Sequence, residues 1–250
     1  MRRRDFLTST AALGIVAAAS SAPDVIWQGA KALGSTNALS NSTKGNKLTP
    51  PAKGKIPVAF ALTQGVTVID FCGPWEVFQD VSVPVSGQES EEDSAFELFT
   101  VSEKIETITG SGGLKFVPDY TFENVPTPKV VVVPAQIGSK ALQEWLRKVT
   151  QTTDVTMSVC TGAFQLARAG LLSGKSATTH HDFLDRLTKQ FPDIDVQRGV
   201  RFVEGEKIST AGGLTSGIDL ALRVVDRYYG REVAQKTAFY MEYQSKGWMV

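Results

Sequence analysis

One cysteine in this chain sits where a nucleophile could be built. Cys160 closes the apolar run Val155-Thr156-Met157-Ser158-Val159 and is followed by Thr161-Gly162-Ala163 and a helical pattern from Phe164 to Gly170. Strand, nucleophile-type residue, small residues and helix make the layout of a nucleophile elbow, whose sharp turn lifts a side chain to the mouth of a sheet. The helix that follows should aim the positive end of its dipole at the sulfur, and that field favours thiolate over thiol. The expectation is a thiol of lowered pKa. The alternative is a buried cysteine that packs as a small hydrophobe.

Other residues could join this chemistry. Asp70 stands at a loop–helix junction, just ahead of Gly73-Pro74-Trp75-Glu76. It reads either as a carboxylate capping helix N–H groups or as a general acid–base group beside the thiol, its pKa raised by burial and like charge. Glu76 competes for that role or belongs to a solvated helix face. His180 and His181 are the only histidines. Neighbours on a strand point to opposite faces, so no metal site is expected of them. His180 reads as a polar group lining a pocket or as a satisfied core histidine. Gly212-Gly213 precede a helix and could bind an anion or simply turn tightly. Cys72 either packs behind the site or, in an oxidising compartment, pairs with Cys160.

These residues need a scaffold, and the hydrophobic pattern supplies one. Residues 56–62, 96–102, 129–133 and 155–159 read as strands, with the four valines Val130–Val133 suggesting a strand covered on both faces. Pro74 suits the first position of a helix. Residues 139–150, 182–190, 216–229 and 232–240 carry helical patterns, and residues 175–179, 196–203 and 207–210 read as further strands. Strands alternating with helices point to a mostly parallel sheet with helices on both faces, and such sheets place their sites at the carboxyl ends of the strands.

The N-terminus is set apart from this domain. Arg2-Arg3-Arg4-Asp5-Phe6-Leu7 followed by the apolar residues 11–19 reads as a twin-arginine export signal over residues 1–30. The apolar stretch falls short of the roughly 20 residues of a membrane span, so no stable membrane insertion is expected. Residues 31–54, rich in Ser, Thr, Asn, Lys and Gly, read as a flexible linker. Residues 55–250 then form one α/β domain with a sizeable core.

Composition narrows the partners. The chain of 250 residues has 26 basic and 26 acidic side chains and no net charge. Without a basic stripe, nucleic acid is not an expected partner, and no helix-turn-helix module is expected after the domain. Two cysteines do not make a disulfide scaffold. No cofactor is implied, and the expected partner is a small-molecule substrate. Four tryptophans and an apolar C-terminal tail make a homodimer a further expectation.

Three blocks of residues resemble the ThiJ/PfpI superfamily, with its class I glutamine amidotransferase-like, flavodoxin-like fold. They are residues 68–78, residues 159–163 with 170–180, and residues 210–219. Within the superfamily, the blocks look most like the isonitrile hydratase branch and the amidotransferase-like domains of AraC-type regulators. The resemblance implies that Cys160, Asp70 and Thr161 are catalytic and that His180 belongs to a Thr-Thr-His motif. Glu76, Gln136, His180, Gly73 and Gly213 are the binding residues expected around them, with no metal. In the usual Pro-Gly-Gly-x-Gly segment, whose backbone helps form an oxyanion hole, this chain has Pro134-Ala135-Gln136-Ile137-Gly138. Gln136 could supply a side-chain amide in its place. The expected activity is cysteine-dependent hydration of an electrophilic carbon. Glyoxalase- or deglycase-type chemistry on aldehydes and a non-catalytic ligand-binding or stress-sensing domain are the alternatives.

Overall fold

The computed structural model describes residues 45–85 and 88–250, and the side chains of all of these except residues 85–92. The export signal and most of the linker expected from sequence lie outside the described residues.

Seven strands form one sheet. They are β1 (Ile56–Ala61), β2 (Phe96–Ser102), β3 (Tyr120–Thr121), β4 (Val130–Val133), β5 (Val155–Val159), β6 (Phe202–Val203) and β7 (Ile208–Ala211). Their order across the sheet is β6-β7-β5-β4-β1-β2-β3. Every pairing is parallel except β6 with β7. All four residues of β4 and all five of β5 are buried, as a strand covered on both faces requires.

The helices are α1 (Val68–Gln79), α2 (Lys140–Val149), α3 (Ala163–Arg168), α4 (Leu184–Gln190), α5 (Ser216–Tyr229) and α6 (Arg231–Tyr240). One core layer gathers Phe71, Val77, Leu220, Val224 and Ala234 from α1, α5 and α6 against the sheet. The other gathers Leu142, Leu146, Phe164, Leu166 and Leu187 from α2, α3 and α4. This is the doubly covered sheet that the alternating pattern implied, and the flavodoxin-like fold that the resemblance implied.

Several local expectations change. Pro74 lies inside α1 rather than at its first position. The helix starts at Val68, whose N–H bonds the Ser111 hydroxyl at 3.0 Å, so a loop over forty residues away supplies the cap. The predicted helix over residues 182–190 is a 3₁₀ turn, His181–Phe183, followed by α4. The predicted strand over residues 196–203 is two short pieces, Asp195–Val196 and β6. At its end the linker is anchored: Leu48 N–H donates to the Arg227 carbonyl at 2.8 Å, and Arg227 Nε to the Asn46 carbonyl at 2.9 Å. The C-terminal tail packs on its own chain, with Trp248 fully buried and its Nε1 donating to the Ser245 carbonyl. Trp248 is thus taken up within its own chain, while Phe239, Tyr240, Met249 and Val250 of the C-terminal region stay exposed.

Candidate active site

The site is built where β5 ends. Cys160 takes a positive φ of 58°, a conformation uncommon for a residue with a Cβ. Three contacts hold it there. Its N–H donates to the Gly212 carbonyl at 2.7 Å, and its carbonyl accepts the Thr179 hydroxyl at 2.8 Å. Gly162, two residues on, passes so close to the Val133 carbonyl that any Cβ would collide with it. The spacing Cys-Thr-Gly is thus a packing requirement of the turn between β5 and α3 as well as a motif. Strain of this kind, worth about 1–3 kcal/mol, persists only where the surroundings over-determine it.

Asp70, in the first turn of α1, comes to the same point. It is fully buried, and its Oδ2 accepts the Ala135 N–H at 3.1 Å. Its Oδ1 is buried with no hydrogen bond of ordinary geometry among the described residues. The helix-capping reading of Asp70 is excluded, because its one clear donor belongs to the loop after β4. Burial pushes its carboxyl up to about 7, against the pull of the Ala135 N–H, the Cys160 thiol and the Leu214 N–H.

The thiol departs from expectation. Cys160 is raised, to about 11, by burial first and then by the nearby charge of Asp70. The N–H groups of Thr161 and Leu214 face the sulfur and pull the other way without prevailing. The physical reason is one of magnitude. A short helix contributes about 0.3–1 kcal/mol at its end, less than the cost of an ion in a pocket that already holds a carboxylate. Cys160 and Asp70 therefore hold a proton between them.

The remaining expected residues divide. Thr161 is placed as expected, with its N–H at the sulfur. Gln136 is spent on structure: its Oε1 accepts from the Thr63 N–H at 2.6 Å and hydroxyl at 3.0 Å, and its Nε2 donates to the Ala61 carbonyl at 2.9 Å. It ties the loop after β4 to the end of β1, with its carbonyl oxygen and one of its two amide N–H groups committed to that tie. Gly73 is a packing glycine, since a Cβ there would lie 2.9 Å from Ile218 of α5. Glu76 acts on Cys72, whose thiol is raised by burial and then by that carboxylate. Cys72 itself lies about 200° around the helix from Asp70, so the two cannot both face Cys160. Neither cysteine is in a disulfide.

His180 and His181 are not on a strand. They enter a 3₁₀ turn with their rings stacked at 4.3 Å, and His181 Nε2 lies 3.1 Å from Asp182 Oδ1. Ligand atoms of His180, His181 and Asp182 fall within 4.8 Å of one another, a spacing that could hold a metal and that the opposite-faces argument missed. The His180 ring also fills the space a Cβ on Gly213 would need, so Gly213 lets the ring close over the turn before α5.

Leu214 and Thr179 were missed by sequence reasoning. Leu214 has a φ of 53° and turns its N–H toward the Asp70–Cys160 pair. Nothing in an apolar side chain advertises a backbone donor, though the Gly212-Gly213 turn before it was a signal. Thr179 lay inside the quoted Thr-Thr-His motif, with attention on the histidine.

A cysteine held at positive φ on the carboxyl edge of a parallel sheet, beside a buried carboxylate, marks a thiol-bearing α/β domain. The profile of the DJ-1/PfpI family matches residues 57–227, and the chain belongs to that family. It is 32% identical over 197 residues to isonitrile hydratase of Pseudomonas putida, covering 75% of this chain and 78% of that one. It is 34% identical over 101 residues to the HTH-type transcriptional regulator CdhR of Pseudomonas aeruginosa, covering 40% of this chain and only 30% of the regulator. The crystal structure of a ThiJ/PfpI family protein from Pseudomonas syringae superposes with a TM-score of 0.64 at 25% identity, covering 77% of each chain.

Proposed function

We propose that the protein is an exported, cysteine-dependent enzyme that hydrates a small electrophilic carbon, with an isonitrile as its substrate. The observation that carries this reading is the buried Asp70 carboxyl, whose Oδ1 makes no hydrogen bond of ordinary geometry among the described residues, set beside the Cys160 thiol and the N–H groups of Thr161 and Leu214. The likeness to isonitrile hydratase supports the choice of substrate.

The chemistry follows from the shared proton. Cys160 sulfur bonds to the terminal isonitrile carbon as its proton passes to Asp70 and then to that carbon, giving a thioimidate. Asp70, ionised again, takes a proton from water as the water oxygen attacks the same carbon. Asp70 passes that proton to the nitrogen, then takes the hydroxyl proton of the tetrahedral adduct as the carbonyl forms and the carbon–sulfur bond breaks, and returns it to the thiolate. The sum is isonitrile plus water to an N-substituted formamide. A carboxyl near 7 suits both directions of transfer at neutral pH. The two backbone N–H groups stabilise the sulfur whenever it carries charge.

The test is turnover of a simple alkyl isonitrile by the purified protein, read as formamide production. Cys160→Ala is expected to abolish it, and Asp70→Asn to lower it by about 10²-fold or more with folding intact. Unchanged turnover in Asp70→Asn would remove the proton-transfer role. A second reading, a ligand-binding domain without turnover, is favoured by one observation, the raised pKa of the Cys160 thiol. Absence of turnover across isonitriles and aldehydes, with retained binding, would select it. Export rests on the Arg2-Arg3-Arg4 leader. Cell fractionation that finds the protein in the cytoplasm would refute it.

A further inference from the structure

Beside the Cys160 turn lies an open pocket of about 190 Å3 that the proposed chemistry does not use. Thr161 forms one wall, so the pocket begins at the residue next to the nucleophile. Phe164, Phe183, Gln165, Arg168 and Arg186 form the rest of the site that matters here.

Two cations converge on one ring. The guanidinium carbons of Arg168, at the end of α3, and Arg186, in α4, lie 5.9 and 5.6 Å from the centroid of Phe164. Both arginines are exposed, and neither makes an ion pair with a carboxylate among the described residues. The acidic neighbours in sequence are engaged elsewhere: Asp182 with His180 and His181, and Asp185 with Arg198. Two cations at one pocket, unpaired by any carboxylate among the described residues, leave a positive charge there that an anion would balance.

Gln165 is the independent sign of a ligand. Its side chain is buried, and its Nε2 reaches the carbonyls of Ile137 at 3.2 Å and Gln136 at 3.4 Å. Its Oε1 is buried with no partner among the described residues. Buried acceptors are normally paired, so one left open in the wall of a pocket calls for a donor from outside. Gly138, at a φ of 77°, provides the room, because a Cβ there would collide with the Gln165 amide.

We propose that this pocket binds the carboxylate end of an aromatic or apolar acid. The arginines would take the carboxylate, as planar guanidinium forks do. Phe164 and Phe183 would take the flat apolar part, and Gln165 Oε1 would accept an N–H or O–H of the ligand. This deepens the hydratase reading by giving its substrate a class: a small electrophile that also carries a carboxylate.

Binding of benzoate to the purified protein, measured by titration calorimetry, tests the site without any need for turnover. Benzoate is expected to bind at least tenfold more tightly than benzamide, its neutral counterpart. The exposed pair Arg168→Gln and Arg186→Gln should remove that preference, while Arg168→Lys and Arg186→Lys should restore part of it. Equal binding of benzoate and benzamide, or a preference that survives loss of both arginines, overturns the proposal. Where isonitriles are turned over, a carboxylate-bearing isonitrile should show a lower KM than a neutral one. The arginine variants should raise that KM at least tenfold. Failure of the binding preference with turnover intact refutes the subsite alone. Loss of turnover with the preference intact refutes the hydratase reading alone.

Discussion

Two buried carboxylates in this fold have opposite surroundings. Glu204 follows β6 and is met by Arg223, whose Nε and Nη2 lie 3.1–3.2 Å from its oxygens, with Arg227 Nε at 3.7 Å. Asp70 is buried at least as deeply and, among the described residues, meets no cation, only the N–H groups of Ala135 and Leu214 and a thiol. A buried ion is stabilised by an opposite charge or else gives up its charge. Glu204 follows the first course and joins the C-terminal helices to the sheet edge. Asp70 follows the second, and its carboxyl rises to about 7. One region holds its charge still; the other can exchange a proton at neutral pH.

Breaking the paired region should have the largest effect on stability. Glu204→Gln leaves Arg223 with only Asp226, at 2.8 Å, and Arg227 with backbone acceptors. Removing one member of a buried pair costs about 3–5 kcal/mol, and the surviving Asp226 contact places this loss near about 3 kcal/mol. Urea denaturation would show it. A loss below about 1 kcal/mol would mean that the network is solvated and that the contrast with Asp70 is false.

Neutralising the unpaired carboxylate should act in the opposite direction. Asp70 moves from an ordinary 3.8 to about 7 on folding, so between those values the native state holds a proton that the unfolded chain has released. Stability then falls as pH rises through that window, by about 4 kcal/mol once both states are ionised. Asp70→Asn removes the penalty but places an amide where a carboxyl lay, so a gain of about 2 kcal/mol over the native protein is expected at pH 8. The gain should vanish near about pH 5 and become a loss of about 1–2 kcal/mol near pH 4, where the carboxylate penalty is nearly absent and the amide cost remains. Equal stability at both pH values would mean that Asp70 is not desolvated. A variant that gains stability and loses turnover would mark Asp70 as a residue kept for chemistry.

The contrast between these regions also explains what could be read in the chain. The parallel sheet was legible because β4 and β5 are unbroken apolar runs, and the turn at Cys160 because small residues must follow where Val133 comes close. Asp70 was recognisable from its motif, but its state was not, since burial and the missing cation arise only when α1 meets the loop after β4. Gln136 looked like a free amide until the end of β1 claimed it. Leu214 was invisible because its contribution is a backbone N–H aimed by a positive φ. Side-chain type carries through sequence; which neighbour consumes a hydrogen bond does not.

The smallest effect is also the most local. Alkylation of Cys160 by iodoacetamide, followed by peptide mass spectrometry, reports the thiolate fraction at that site, with Cys72 as a separate peptide. The midpoint should lie near 11 in the native protein, because burial and the Asp70 charge both oppose the thiolate. In Asp70→Asn the charge and the carboxylate hydrogen bond are gone while burial and the Thr161 and Leu214 N–H groups remain. The midpoint should then fall by about one unit, equivalent to about 1.4 kcal/mol, and still stay above the free-cysteine value of about 8.5. Cys72 answers to Glu76 instead, so its midpoint should not move. A native midpoint at or below about 8.5 would mean that the turn and its N–H groups overcome burial, as the sequence alone suggested. A midpoint near 11 that ignores Asp70→Asn would leave burial as the sole cause and separate the thiol from the carboxylate on which the proposed proton transfer depends.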